Sequence, residues 1–230
     1  MSTKKLNAYR GPLSAEKIAA GMNAANANAL RLVEDAKVLL AACRIPTAAS
    51  LAALSIEESG KTSILRQLAT ATTKEEITAA WKGYRSHTRK NVQWQLPALA
   101  LAGSRKLEEF RSLFDDTADH PYVLDQVKQL GFYTDCIGSG HWSIPTNVVD
   151  EDLAHALVRI AMLLVGKREI TIQEIELWNV HVGAAPKDDL SAMKEALANW
   201  YGALQAAGLR PDGINEMERF INDGVPFPKI

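Results

Sequence analysis

The sequence predicts an all-α fold, a bundle of seven or so helices with at most one short β-hairpin near residues 132–144. Three observations lead there. Residues that start helices recur along the chain, and each is followed by apolar positions at helical spacing: Ser14, Thr73, Asp150, Thr171 and Asp188. Alanine is abundant in the first of these runs, and small side chains let a partner helix approach closely. Extended character is confined to a single aromatic, glycine-rich segment.

In chain order, Ser14 caps a long helix running to about Cys43, with Ala25, Ala29, Leu32, Ala36 and Leu40 along one face. Pro46 marks the start of a second helix, where its missing N–H is harmless, and the pattern continues through Leu68. Gly60 inside that helix costs roughly 1 kcal/mol against alanine, which points to close packing or ligand access. Thr73–Glu76 reads as a capping box opening a third helix, with Ile77, Ala80, Trp81 and Tyr84 inward. That helix is expected to carry on past His87 and Asn91 until Gln95-Leu96-Pro97 ends or kinks it. Ser104 to about Leu113 and Tyr122 to Leu130 make shorter helices. Gly131–Pro145 flanks a glycine-rich turn with aromatic and branched residues, a hairpin signal. Asp150 then caps a helix through Val165, Thr171–Glu174 is a second capping box, and Asp188 opens a last long helix through Ala207. A short helical piece and a proline-bearing tail, Val225–Pro228, follow Gly208.

The bulk numbers narrow the function classes. A chain of 230 residues with net charge −1, 47% hydrophobic and 23% charged residues is an ordinary globular composition, so any basic surface is local. Met1–Lys5 lacks the apolar run of a signal peptide and no window approaches a membrane span, so the expected location is the cytoplasm, with no membrane partner. Two cysteines, Cys43 and Cys136, make neither a disulfide framework nor a thiolate metal site.

The second helix carries the feature that demands a reason. On a helical wheel Glu58 and Lys61 fall inside the stripe of Leu51, Leu54, Leu65 and Leu68. Buried charges need a partner, so they belong either to a structural pair or to a site. On the third helix His87 and Asn91 fall at or inside the apolar face, while Lys82, Arg85, Arg89 and Lys90 form an outward cationic strip. Antiparallel packing of the two helices brings Glu58 and Lys61 toward His87 and Asn91.

Three segments resemble the AbiV family of abortive-infection proteins, an all-α branch of the HEPN superfamily. Ala52–Lys61 is similar to its A-x-L-x-I-E-E-x-G-K helix, His87 and Lys90 to its H-x-x-K element, and Gly131–Asp135 with Trp142–Pro145 to its G-[LF]-Y-x-D…P segment. The resemblance spans about residues 20–165, leaving 166–230 as a C-terminal helical extension of one domain covering 1–230. It implies a HEPN-like bundle in phage defence, and many HEPN relatives are metal-independent ribonucleases acting as dimers. The usual HEPN signature, an arginine followed after four to six residues by a histidine, is absent from this sequence.

The first functional expectation is an antiphage effector acting on RNA, with Glu58, Lys61, His87 and Asn91 as catalytic residues, Glu57, Lys90 and Asp135 in support, and Lys82, Arg85 and Arg89 holding the RNA backbone. His87 would move protons and Lys61 would stabilise a phosphate oxygen. Asp135, His141 and Trp142 would cover or line the site. The rival is a non-catalytic module that senses a phage protein or nucleotide, with Glu58, Lys61 and His87 joined only structurally. A divalent ion held by Glu57, Glu58, His87 and Asp35 is the weaker alternative, because Lys61 would sit among the ligands, and the expectation is no metal and no cofactor.

Overall fold

The computed structural model describes residues 7–115 and 118–224. The tail expected at Val225–Pro228 lies outside the described residues. Helix α1 (Ala15–Ala41) starts at Ser14, whose hydroxyl accepts from the Lys17 N–H at 3.3 Å. Cys43 adopts a left-handed conformation (φ 56°) in the tight turn to α2 (Ile45–Ala69), and Pro46 sits in the first turn of α2. Then come α3 (Lys74–Arg85), α4 (His87–Asn91), a 3₁₀ turn (Val92–Gln95), α5 (Leu96–Leu101), a 3₁₀ segment (Leu107–Phe114) and α6 (His120–Phe132). A two-stranded antiparallel hairpin follows, β1 (Asp135–Ile137) and β2 (His141–Ser143), with Cys136 opposite Trp142. The chain goes on through α7 (Pro145–Val148), α8 (Glu151–Leu164), α9 (Ile172–His181), α10 (Leu190–Ala206) and α11 (Glu216–Asp223). The all-α class and the single hairpin stand as the sequence predicts. Among the described residues no helix is long and apolar enough to cross a membrane.

Helix α2 is the axis of the bundle. It packs against α1, α3, α4, α6 and α8, so most of its circumference is covered. Small residues make this possible: Ala48, Ala49, Ser50, Ala52, Ala53 and Ser55 are completely buried. Ser55 donates to the Ala29 carbonyl of α1 at 2.7 Å, and Ser50 donates to the Lys128 carbonyl of α6 at 3.0 Å. Ala29, Val33, Ala36, Ile56, Leu124, Leu157 and Ala161 build the main core around it. A second cluster at the other end joins Ile18, Met22, Leu65, Leu68, Trp81 and Ile175. Helices α9, α10 and α11 share a third cluster, in which Trp178 meets Trp200 edge-on at 5.0 Å.

Four elements depart from the sequence expectation. The third helix ends at Arg85, because Ser86 takes an extended conformation (ψ 129°) and its hydroxyl caps α4 through the Arg89 N–H. The helix expected over 104–113 is a 3₁₀ segment. Asp189 rather than Asp188 caps α10, accepting from the N–H groups of Ser191 and Ala192. At Thr171 only half of the capping box forms: its hydroxyl accepts from the Glu174 N–H, but the Glu174 carboxylate turns away to three arginines.

The capping box at Thr73 is complete, and Glu76 of that box also pairs with Lys187 in the loop before α10. The Lys187 ammonium, with the N–H groups of Thr72 and Thr73, lowers the Glu76 pKa to about 2 from an ordinary value of 4.5. The stabilisation this carboxylate contributes is present above pH 4.5 and is lost as pH falls toward 2. We expect Glu76→Gln to be less stable than the wild type at neutral pH and to converge with it at the acid end, read from urea midpoints across that range.

Candidate functional site

The carboxylate that enters the interior is Glu57, the neighbour of the one the helical wheel selects. Leu51, Leu54, Glu58 and Lys61 form the half-buried edge of α2, whereas Glu57 is 2% exposed. The reason lies in the packing: alanine, serine and glycine face the partner helices, and leucines reach inward from the margins. Glu58 and Lys61 pair with each other at 2.5 Å, and the Lys61 ammonium lies 5.3 Å from the Tyr84 ring centroid. They make no pair with His87 or Asn91 among the described residues.

Around Glu57 the chain assembles four further groups. Lys128 of α6 donates to Oε1 at 2.5 Å. His87 Nδ1 lies 2.7 Å from Oε2, and the Lys90 ammonium lies 3.4 Å from the same oxygen. Lys128 also donates to Asp125 one turn earlier, at 2.6 Å. Lys90 is 6% exposed, so it leaves the outward cationic strip that the sequence assigns to it. The break at Ser86 is what re-aims this segment, turning His87 and Lys90 toward α2. Gly60 lets it approach: a Cβ at that position would lie 1.9 Å from the Lys90 carbonyl oxygen. Asn91 is completely buried and donates to the Pro121 carbonyl at 3.3 Å, so it anchors α4 to the start of α6 instead of joining the charged group. Trp94 and His120 add two bonds at the same seam, Trp94 Nε1 to the His120 carbonyl at 2.9 Å and His120 Nε2 to the Val92 carbonyl at 3.0 Å.

The electrostatics of the group favour charge. Burial acts to lower the Lys128 pKa, but the hydrogen bonds to Asp125 and Glu57 outweigh it and the pKa is raised, so this lysine is an ammonium at neutral pH. His87 is 55% exposed at its side chain while its Nδ1 is held by a carboxylate that is 3% exposed. Donation of an Nδ1 proton to Glu57 would leave Nε2 as the acceptor nitrogen of this half-exposed ring. This is the geometry of an oriented general base.

Glu57, His87 and Asp125 have potential metal-ligand atoms within 4.8 Å of one another. The Lys128 ammonium reaches all three, at 2.5 Å, 3.2 Å and 2.6 Å respectively, and occupies the space among them. A cation is thus built into the protein. Asp35 is not near the group, since it pairs with Arg31 on the exposed face of α1.

The remaining candidates divide. Arg85 donates to the Tyr9 carbonyl at 2.5 Å and lies over the Trp81 ring, which ties the N-terminal segment to α3. Lys82 and Arg85, with Arg10, Lys74 and Ser86, line a groove of about 970 Å³ floored by Trp81 and Ile77. Arg89 is exposed on α4. Asp135 lies in the hairpin, where its carboxylate accepts from the Cys136 N–H at 2.8 Å, and His141 and Trp142 are exposed there. Among the described residues, the hairpin makes no hydrogen bond to the Glu57 group.

Sequence reasoning missed Lys128 and Asp125. One signal was available: they stand one turn apart on a helix whose neighbours Leu124 and Val127 face the core, so Lys128 shares the inward face.

The family model described as AbiV (HEPN_AbiV) matches residues 17–166, which include Glu57, His87, Lys90, Asp125 and Lys128. No curated protein and no solved structure matches the chain. With well over half of its length matched, the chain belongs to the AbiV family, an abortive-infection-related HEPN module.

Proposed function

We propose that this AbiV protein is an antiphage effector that cleaves RNA without a metal, working as a cytoplasmic homodimer, with His87 as the general base. The observation that carries this reading is the solvent-facing imidazole of His87, pinned at Nδ1 by the buried Glu57. In the proposed step Nε2 takes the 2′-hydroxyl proton, the 2′-oxygen bonds to the adjacent phosphorus, and the P–O5′ bond breaks, with the leaving oxygen protonated from solvent. Lys128 holds Glu57 in place, and Glu57 stabilises the imidazolium that forms. The cationic groove supports an RNA backbone: it runs to Ser86, one residue before His87, and Lys82 supplies charge there.

The test is cleavage of total RNA by purified protein in EDTA. The wild type is expected to cleave, and His87→Ala to lose about 10²–10⁴-fold in rate, the usual worth of a positioned acid or base. Because His87 is half exposed, this variant should keep its fold, checked by circular dichroism. Lys82→Ala should weaken RNA binding and reduce its salt dependence. Intact RNA with a wild type that still blocks phage growth would sink the proposal.

The rival, a non-catalytic module sensing a phage protein, draws support from Lys128: with its ammonium between Glu57 and Asp125, the buried group satisfies itself and needs no substrate. That reading expects His87→Ala to retain phage protection.

A further inference from the structure

The connection between α8 and α9 crosses the joint of α1 and α2 and is fastened there by Asn23. This side chain donates to the Ile170 carbonyl at 2.9 Å and accepts from the Ile170 N–H at 2.8 Å. One helical turn further on, Asn26 is 7% exposed, and its carboxamide has no hydrogen-bond partner among the described residues. It lines a cavity of about 240 Å³ together with Thr62, Arg66, Lys167 and Arg168. Gly166 is required for that placement, because a Cβ there would lie 2.5 Å from Asn26 Nδ2. An amide that makes no bond to the protein and stands in the wall of a cavity keeps its donors and acceptor for a molecule that enters there.

The charge around the cavity is unbalanced in one direction. Three guanidinium groups face the single carboxylate of Glu174, which is 1% exposed. Arg168 makes the short hydrogen bond to it, at 2.7 Å. Arg66 and Arg210 stand 3.6 Å from Oε1, which has no hydrogen-bond partner. Arg66 is further fixed over the rings of Trp178 at 5.2 Å and Trp200 at 5.6 Å, so it is held ready rather than free to swing away. Lys167 is exposed at the rim and pairs with no carboxylate of the described residues.

We propose that this cavity binds the phosphate group of a small ligand, with Arg66, Arg168 and Lys167 taking its charge and the Asn26 amide donating to one of its remaining oxygens. Phosphate fits better than a carboxylate because it offers three or more acceptor oxygens in a tetrahedral array and two negative charges against an excess of guanidinium. Burial first, then the neighbouring guanidinium groups, lower the pKa values of Arg66 and Arg210, and the charge of a bound dianion acts in the opposite direction. The site lies at a seam. Asn26, Thr62 and Arg66 belong to the family-matched segment, while Lys167, Arg168, Glu174 and Arg210 lie beyond it. Occupancy therefore fastens α9 and its arginine partners to the bundle.

The full-length protein is titrated with inorganic phosphate, pyrophosphate and adenosine 5′-monophosphate by calorimetry, and its Tm is followed in phosphate against chloride at equal ionic strength. We expect saturable binding, a higher Tm in phosphate, and at least a tenfold loss of affinity in Lys167→Ala and in Arg168→Lys, two exposed positions where the fold should persist. Arg31→Ala, on the exposed face of α1 and not part of the cavity lining, should bind phosphate as the wild type does. Tighter binding of the monophosphate than of free phosphate assigns the site to a nucleotide, and equal binding assigns it to the anion alone. Absence of saturable binding to the wild type, or equal binding by both variants, overturns the proposal. The cavity shares no residue with the His87 group, so phosphate binding and RNA cleavage fail or succeed independently.

Discussion

Gly60→Ala is expected to lower stability by about 3 kcal/mol, the upper part of the range for overpacking a close contact. The added methyl would lie 1.9 Å from the carbonyl oxygen of Lys90, 2.8 Å from its carbonyl carbon and 3.1 Å from its Cα, all backbone atoms that no rotamer change can move. Alanine is favoured over glycine inside a helix by about 1 kcal/mol, too little to offset the clash. The only relief is for α4 to back away from α2, which would pull His87 and Lys90 off Glu57. The substitution should therefore lower the urea midpoint and weaken whatever activity the group supports. A neutral or stabilising Gly60→Ala would show that α4 does not sit against α2 as described.

The same contact marks the limit of what the sequence tells. Helix boundaries at Ser14, Pro46, Thr73 and Asp150 were legible because capping is local chemistry, decided within four residues. The resemblance pointed to α2 and to the segment around His87, which the structure brings into contact. The wheel chose Glu58 over Glu57 because it assumes one buried face, while α2 is covered by several partners and exposes only an edge. Ser86 was hidden for a related reason. A serine between Arg85 and His87 reads as one more helical position, and only the approach of α4 to Gly60 makes the break favourable. Glu174 shows the reverse error: Thr171 and Glu174 have the spacing of a capping box, yet three arginines brought by tertiary packing outbid the local bond. Lys128 and Asp125 arrive from α6, seventy residues away in sequence, with no spacing rule to join them to Glu57.

Lys128→Met is expected to cost about 3–5 kcal/mol, the penalty for removing one member of a buried charge pair. Methionine fills the volume of the lysine stem, so the loss comes from the charge and not from a cavity. Glu57, 3% exposed, would then keep only Lys90 at 3.4 Å and a half-exposed His87. Two results separate the electrostatic cause from a packing cause. Adding Glu57→Gln to Lys128→Met should recover much of the loss, because no uncompensated carboxylate remains, whereas independent packing defects would add. The pH dependence supplies the second. The Lys128 pKa is raised above its ordinary 10.5 in the folded protein, so its contribution is fully present below pH 10.5 and disappears as pH rises through the folded-state value. The gap between wild type and Lys128→Met, measured by urea unfolding, should thus be constant through neutral pH and narrow only in strong alkali. A gap that narrowed near pH 7 would transfer the role to His87, and a Lys128→Met protein as stable as the wild type would mean that Glu57 does not depend on this ammonium.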